Sequence, residues 1–382
     1  MSFEDSDKLS DFPCSIKIGD YEVFSEVGAG NFGLWEKDEY NLPCYKINNS
    51  ASAQLDLWHL VGNERITATA HSGGYVQVYS WDTGPQILNR FDIQNGCLSG
   101  GYSLLLIDGE MYSTLLLPPS NQSNIKITFG CGYVKKETSL SGKVFVEEKF
   151  FAPSGRSAYL VHRVSIKNIY SEPIDVIVMP IWEPNWYPLD PALIMTSPYK
   201  IFWAKLRHLR SKRIIRKYQL LKTDNSEIVL EYQRPQLFNQ KSSWRVIPIP
   251  QIFCKNLTSE IDISTFTSSS KLKNFISSFI KDKTLVENIK ELSKDRLLFS
   301  YAYKITILPE QSKNIELMFG YNYKEEDLQN ITKTFYSKEE SKKFNFIYFS
   351  TSEVAKPITR ELLWHSYYLQ AGSIYSSVYN RY

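Results

Sequence analysis

The stretch Tyr301–Tyr321, YAYKITILPEQSKNIELMFGY, decides the fold class of this chain. Apolar and polar residues alternate on both sides of the turn-forming run PEQSK, which is the pattern of half-buried β-strands. One face of the first arm carries Tyr301, Tyr303, Ile305 and Ile307, and one face of the second carries Ile315, Leu317, Phe319 and Tyr321. The pattern predicts two antiparallel strands joined as a hairpin.

The same strand patterns recur upstream. Tyr159–Ile166 (YLVHRVSI) places Leu160, His162, Val164 and Ile166 on one face, and Lys143–Phe151 (KVFVEEKFF) is a second candidate strand. Ile174–Ile181 (IDVIVMPI) is apolar on both faces, which predicts a central strand. The pairs Gly73-Gly74 and Gly100-Gly101 indicate turns or bulges. We therefore predict a mainly β fold, a large sandwich with a few helices.

Three segments have helical rather than strand spacing. We predict a helical insertion at about 271–294, a helix at about 325–336 and a C-terminal helix at about 356–370. In the last of these, the sequence PITRELLWHSYYLQ places Ile358, Leu362, His365 and Leu369 on one side, which we expect to pack against a partner surface. The aromatic tail that follows suggests a linker to a further domain, and the alternative is a helix folded back on its own domain.

The length and composition limit the classes of protein. A chain of 382 residues with 43% hydrophobic side chains can form one large β domain, which we place at 16–350 between a polar lead-in (1–15) and a linker (351–382). The net charge of +3 gives no general attraction to nucleic acid or membranes, although 207–222 is locally basic. The five cysteines lack paired spacing, and the acidic N-terminal stretch MSFEDSDKLSDF does not resemble a signal peptide. We predict a cytoplasmic protein.

No motif predicts a metal, a cofactor or a catalytic group. The five histidines lack metal-ligand spacing, and the glycine pattern at 28–33 is not followed by a helical pattern. Glycoside chemistry requires two carboxyl groups about 5–10 Å apart. Glu147 and Glu148 are adjacent, so on a strand they point to opposite faces and cannot act together. We therefore assign no catalytic residue, no metal and no cofactor.

Two stretches combine planar polar side chains with aromatic rings, a combination that suits sugar hydroxyls and pyranose faces. The first is 58–92, WHLVGNERITATAHSGGYVQVYSWDTGPQILNRFD, and the second is the loop WEPNWY at 182–187. The alternative is that these residues only build turns and sheet ladders. Our candidate carbohydrate-binding residues are Arg65, Gln77, Trp81, Asp82, Trp182 and Trp186.

These motifs, taken in order, resemble a known family. The succession VGNERITATAHSGGY, WDTGPQILNRFD, KVFVEEKFFAP, VHRVSIKNIYSEPIDV and MPIWEPNW, ending with RELLWHSYYLQAGSIY, is similar to the N-terminal domain of cellobiose-phosphorylase-like proteins. This group is glycoside hydrolase family 94 in the wider sense, also described as glycosyltransferase 36-like. The resemblance covers about 61–382.

The resemblance implies a galactose-mutarotase-like β-supersandwich followed by a linker helix. In the family an (α/α)6 barrel follows and carries the catalytic acid, and this sequence has no barrel, so no catalytic residue is carried over.

Three hypotheses remain open. The chain is a carbohydrate-binding part of a split or truncated phosphorylase or hydrolase, with an oligosaccharide or disaccharide ligand and either a separate barrel chain or a second copy as partner. Alternatively, it is a stand-alone mutarotase-like enzyme with His162 and a glutamate inside the sandwich, or a non-catalytic scaffold.

Overall fold

The structure is a computed structural model that describes residues 14–18, 21–25, 33–47, 57–80, 86–92, 96–116, 125–153, 155, 157–188, 218–223, 226–232, 250–259, 261–280, 296–323 and 356–372. In chain order, strands β1 to β24 are Cys14–Ile18, Tyr21–Ser25, Gly33–Lys37, Pro43–Ile47, Trp58–Gly62, Ile66–His71, Val76–Ser80, Gln86–Ile87, Phe91–Asp92, Cys97–Leu98, Gly100–Ile107, Glu110–Ser113, Lys126–Gly130, Tyr133–Leu140, Val144–Phe151, Tyr159–Asn168, Ile174–Trp182, Tyr187–Pro188, Tyr218–Thr223, Glu227–Tyr232, Gln251–Asn256, Asp262–Ser268, Leu297–Ile307 and Ser312–Asn322. Helix α1 is Ser269–Ser277 and helix α2 is Lys356–Gly372.

Three sheets build the sandwich. A ten-stranded sheet has the order β19-β20-β21-β24-β16-β15-β14-β13-β4-β3, and two five-stranded sheets have the orders β12-β11-β17-β23-β22 and β18-β8-β7-β6-β5. We call these two the β17 sheet and the β7 sheet. Apolar residues from all three sheets form one continuous core. Every strand pair in the sheets is antiparallel, and the predicted mainly β class with few helices is confirmed.

The strands of the Tyr301–Tyr321 stretch form as predicted, but they do not pair with each other. β23 pairs with β17 and β22, whereas β24 pairs with β16 and β21 in the ten-stranded sheet. The hairpin prediction is therefore wrong, and the turn at 308–311 crosses from one sheet to the other. The apolar face of each strand points into the core between the two sheets. The alternation of apolar and polar residues is therefore the same as in a hairpin, although the two strands face each other across the core.

Asn168 joins this crossover to the one between β16 and β17. Its backbone N–H donates to Gln311 O, and its carbonyl accepts from Glu310 N at 3.1 Å. Its side-chain amide donates to Glu172 O at 2.7 Å and Ile307 O at 2.9 Å. A buried amide with these partners satisfies the backbone groups where the chain leaves both sheets.

Two finer predictions of the sequence are confirmed. β17, which is apolar on both faces, is the central strand of its sheet. The Gly100-Gly101 pair forms a bulge against β17, where the register shifts between Gly100 and Tyr102. Both glycines have positive φ, and a Cβ on Gly101 would lie 2.7 Å from the side chain of Val76. Glycine is therefore required at this bulge.

Helix α1 covers the outer face of the β17 sheet. Leu272 and Ile276 are fully buried in a second apolar cluster with residues of β11, β17 and β23. Ser268 caps the helix by accepting from Lys271 N. Helix α1 overlaps the start of the helical insertion predicted at about 271–294, while 281–295 and the predicted helix at 325–336 lie outside the described residues. The domain boundaries at 15/16 and 350/351 stay predictions.

Helix α2 confirms the predicted C-terminal helix, and it packs on the sandwich of its own chain. Trp364, Tyr367 and Ala371 are buried against strands that include β5. The face expected to pack is instead exposed, with Leu362 at 36% and Leu369 at 74%. The predicted packing face is therefore wrong. The helix turns its aromatic side chains inward because they offer more apolar surface to bury than the leucines do. Within the described ranges, neither helix combines the length and apolarity that crossing a bilayer requires.

Candidate functional site

The sandwich core contains a buried charged cluster around Glu148. Its Oε1 accepts from Ser103 Oγ at 2.5 Å and from His162 Nε2 at 2.8 Å. Its Oε2 accepts from Thr114 Oγ1 at 2.7 Å and forms an ion pair with Lys136. The side chains of Glu148 and Lys136 are 0% and 3% exposed. The ammonium of Lys136 also donates to the carbonyls of Gly74 and Gly101, both at 2.9 Å.

The hydrogen bonds of His162 fix its tautomer. Trp182 Nε1 donates to His162 Nδ1 at 3.2 Å, and an indole nitrogen can only donate. Nδ1 therefore carries no proton, and Nε2–H donates to Glu148. Burial lowers the pKa of His162, which keeps the ring neutral. Burial alone would raise the pKa of Glu148, but the charge of Lys136 and the hydrogen bond from His162 outweigh it and lower that pKa to about 2.

This arrangement brings together the histidine and glutamate of the mutarotase-like hypothesis, but not as a reactive pair. Both side chains are fully buried, and the oxygens of Glu148 and the nitrogens of His162 are already used. A general acid or base must reach the proton that it transfers. The cluster therefore acts as a polar support of the core. The sequence contained a signal for it, since Glu148 alternates with the buried Val146 and Phe150, while Glu147 lies on the other face.

A second buried carboxylate lies in the loop after β17. Glu183 Oε1 accepts from Tyr102 Oη at 2.9 Å and from the Arg296 guanidinium at 3.0 Å. Its Oε2 accepts from Leu98 N at 3.0 Å. Burial raises the pKa of Glu183, and the charge of Arg296 opposes that change. Glu183 is 1% exposed, so this carboxylate ties the loop to β10, to β11 and to Arg296, the residue before β23, rather than facing a ligand.

Arg65, one of the residues selected from the sequence, lies at one end of the sandwich beside two tyrosines. The guanidinium carbon of Arg65 lies 5.6 Å from the Tyr321 ring centroid, and the Tyr321 hydroxyl donates to Arg65 O. Tyr323 stands edge-on to Tyr321 at 5.7 Å, and its hydroxyl lies 3.2 Å from Ser80 Oγ. Arg65 and Tyr323 are half-buried. We call Arg65, Ser80, Tyr321 and Tyr323 the sandwich-end cluster.

The other candidate binding residues separate into different environments. Trp182 is fully buried and stacks on Phe319 at 4.2 Å, so its ring belongs to the core. Trp186 is 7% exposed and donates to Gln86 Oε1 at 2.7 Å, so its ring also faces the interior. The structure therefore corrects the choice of both residues as candidate sugar-stacking rings. The sequence alone does not show whether an aromatic residue at the end of a strand, or just after it, faces the core or the surface. Gln77 lies on the outer face of β7, where its Oε1 accepts from Phe91 N at 2.9 Å.

Trp81 and Asp82 lie outside the described residues. The register shows where the preceding strand, β7, ends. Ser80, the last residue of β7, pairs with Ile66, the residue after Arg65. The chain therefore leaves β7 at the end of the sandwich where Arg65 lies.

The described residues offer no group of three or more His, Cys, Asp or Glu side chains that could hold a metal ion. Cys44, Cys97, Cys131 and Cys254 are buried and unpaired with one another. Burial raises the pKa of the Cys131 thiol to about 12, and it raises those of the other three as well. Thiols with raised pKa values are poor nucleophiles and poor metal ligands.

Comparison with known proteins gives structural likenesses only. No family model matches the sequence, and no curated protein matches it. A proposed kojibiose phosphorylase from the human microbiome has a TM-score of 0.42 and 10% identity, over 87% of this chain and 38% of that one. A proposed aldose 1-epimerase from Escherichia coli K12 has a TM-score of 0.34 and 11% identity, over 70% and 99%. A heparan sulfate lyase from Pedobacter heparinus has a TM-score of 0.31 and 6% identity, over 74% and 36%.

The chain thus spans little more than a third of the length of the phosphorylase and of the lyase. These values do not place it in a family, and the mainly β class rests on its own strands.

Proposed function

We propose that this chain is a carbohydrate-binding β-sandwich of the galactose-mutarotase-like kind that does not itself break glycosidic bonds. The observation that carries the proposal is the sandwich-end cluster. It combines the half-buried guanidinium of Arg65 and the half-buried Tyr323 with Ser80, the last residue of β7. The ordered motifs of the cellobiose-phosphorylase-like resemblance support the same class of ligand.

The chemistry of this cluster suits sugar hydroxyls. A guanidinium donates several hydrogen bonds in a fixed plane, and tyrosine supplies both a ring and a hydroxyl. A hydrogen bond that involves a charged group contributes about 1.5–3 kcal/mol. Arg65 is held by the Tyr321 ring, which limits the conformational entropy lost when a ligand binds.

The saturated Glu148 cluster supports the absence of catalysis. Its carboxylate and imidazole are enclosed between the sheets, and Glu183 is enclosed beside Arg296.

In the finer form of the proposal, the chain is the N-terminal part of a split or truncated phosphorylase or hydrolase. It would then shape a sugar cleft with a barrel supplied by another chain, or by a second copy of the same protein.

The test uses purified full-length protein and the disaccharides cellobiose, maltose and kojibiose. Saturation-transfer NMR should detect binding of at least one of them, and Arg65→Met should weaken that binding by about tenfold or more. Arg163→Met is the matched control, because Arg163 is also half-buried and lies 5.6 Å from the Phe151 ring on another face. Equal affinity of both variants and the wild type would refute the role of the sandwich-end cluster.

A further inference from the structure

The outer face of the β7 sheet has a composition unlike that of a solvated sheet face. The strand registers arrange its outward side chains in three cross-strand rows. These rows are Trp58–His71, Leu60–Thr69–Gln77 and Gly62–Thr67–Tyr79–Ile87–Tyr187. None of these described positions carries a charge. We call this surface the β7 outer face.

The outer face of the ten-stranded sheet shows the contrast within the same molecule. There Lys135 lies 3.1 Å from Glu137 and 3.5 Å from Glu147, and Arg163 pairs with Glu316. That face carries alternating charges, as a solvated sheet face commonly does. The β7 outer face instead offers aromatic rings, hydroxyls and an amide. Such a surface matches a neutral polar ligand. The guanidinium carbon of Arg90 lies 4.6 Å from the Tyr187 ring centroid at the end of the far row, but the rows themselves hold no cluster of Lys or Arg of the kind that attracts nucleic acid, acidic glycans or anionic lipid.

Trp58 is the exposed member of an aromatic stack. It is 44% exposed, and it meets His71 at 4.6 Å and Tyr75 at 5.8 Å, both in edge geometry. His71 stacks on Tyr75 at 4.7 Å, and Tyr75 stacks on Phe91 at 4.2 Å. His71 is fixed in turn by Gly73 N, which donates to its Nδ1 at 2.8 Å. Trp58 is therefore held in place by rings that reach the second apolar cluster, where Tyr75 is buried.

Hydrogen-bonding groups adjoin this ring. Thr69 Oγ1 donates to Tyr79 Oη at 3.3 Å, and Gln77 Nε2 donates to the same oxygen. Neighbouring strands lie about 4.8 Å apart, so Thr69 and Gln77 are one and two strands away from Trp58. Helix α2 covers the Thr67 end of the far row, since Thr67 Oγ1 donates to Ala371 O at 2.9 Å, and its last residue, Gly372, lies beside Leu60. Trp58 is exposed, Thr69 and Tyr79 are half-buried, and Gln77 is buried, so a ligand that runs across the strands would meet Trp58, Thr69 and Tyr79.

We propose that the β7 outer face binds a neutral oligosaccharide, with the Trp58 ring against a pyranose C–H face and with the hydroxyls of Thr69 and Tyr79 bonded to sugar hydroxyls, while the buried Gln77 holds Tyr79 in place. The proposal rests on the proposed function for the class of ligand, but it uses a surface separate from the sandwich-end cluster. Among the sequence-selected residues that the structure describes, Gln77 belongs to it.

The experiment titrates full-length protein with maltohexaose, cellohexaose and laminarihexaose, and with a heparan sulfate hexasaccharide as the charged probe. Binding is followed by calorimetry and by tryptophan fluorescence. We expect at least one neutral hexasaccharide to bind and the heparan sulfate probe not to bind. Trp58→Ala should weaken the neutral ligand by about tenfold or more, Trp58→Phe should restore part of the affinity, and Thr69→Val should cause a smaller loss. Tyr218→Ala, which removes a ring of similar exposure (45%) from the edge strand β19, should bind like the wild type.

The outcomes separate the two proposals. Loss of binding in Trp58→Ala with normal binding in Arg65→Met supports the β7 outer face alone. Normal binding in Trp58→Ala with loss of binding in Arg65→Met refutes binding at the β7 outer face and leaves the proposed function in place. Binding of no neutral sugar refutes both. If Trp58→Ala changes the molar mass by light scattering and leaves sugar binding unchanged, the face is a protein interface and the proposal is overturned. Thermal unfolding of each variant excludes misfolding as the cause of a loss.

Discussion

Replacing Lys136 by methionine should be among the most damaging single changes in this protein. Methionine keeps most of the volume of the lysine stem but removes its charge. Glu148 would then be a buried carboxylate without a counter-ion, and the carbonyls of Gly74 and Gly101 would lose their donor. Breaking a buried ion pair by removing one partner costs about 3–5 kcal/mol. We expect a loss of that size in the free energy of unfolding.

Lys135 supplies a matched control on the same strand. It points to the opposite face, and its side chain is 24% exposed beside Glu137 and Glu147. Ion pairs near solvent contribute about 0–1 kcal/mol, so Lys135→Met should change stability by no more than that. Urea unfolding followed by tryptophan fluorescence measures both variants. With a slope of about 3 kcal/mol/M, Lys136→Met should lower the midpoint by about 1 M or more and Lys135→Met by about 0.3 M or less.

Two further measurements separate the charge effect from a packing effect. The double variant Lys136→Met, Glu148→Gln removes both charges and should recover part of the lost stability. The destabilisation by Lys136→Met should also shrink as the pH falls from 7 to 4, because the unpaired Glu148 can then be protonated. The reasoning is refuted if Lys136→Met is no less stable than Lys135→Met, or if its destabilisation is the same at both pH values.

Two more predictions concern helix α2 and the strand that it covers. Burial lowers the pKa of His59 to about 4, so the stability that it contributes is complete above about pH 6.5 and is lost as the pH falls toward 4. His59→Gln should therefore flatten the pH dependence of the melting temperature in that window, and an unchanged pH dependence would contradict this prediction. Trp364→Ala should cost about 3–5 kcal/mol in urea unfolding, because the ring is buried and meets Trp35 at 4.9 Å. Leu369→Ala should stay within about 0.5 kcal/mol, and an equal effect of both variants would contradict the docked orientation of the helix.

The sequence predicted the strands and their buried faces well, but not their partners. Alternation in β23 and β24 shows which side of each strand is apolar, and it is the same whether the strands pair with each other or face each other across a core. The pairing is decided by the turn at 308–311 and by Asn168, which accepts from Glu310 N and donates to Gln311 O. Hydrogen bonds between distant turns leave no periodic signal in the sequence.

The candidate site was predicted only in part, for two physical reasons. Aromatic residues that follow a strand can face the core or the surface, so Trp182 and Trp186 could not be distinguished from ligand-binding rings. In helix α2 the leucine spacing pointed to the wrong face, because Trp364 and Tyr367 contribute more buried surface than Leu362 and Leu369. Trp58 was part of a stretch chosen from its composition, but its exposure depends on the strand register.

The central claim is that the sandwich binds neutral carbohydrate and does not cleave it. It is tested most directly by incubating full-length protein with maltohexaose, cellohexaose and laminarihexaose, with and without phosphate. One sample of each mixture is analysed by saturation-transfer NMR for binding and a second by chromatography for products. We expect a saturation-transfer signal for at least one sugar, loss of that signal in the double variant Arg65→Met, Trp58→Ala, and no shortened products. Absence of any signal, or turnover abolished by one carboxylate substitution, would contradict it.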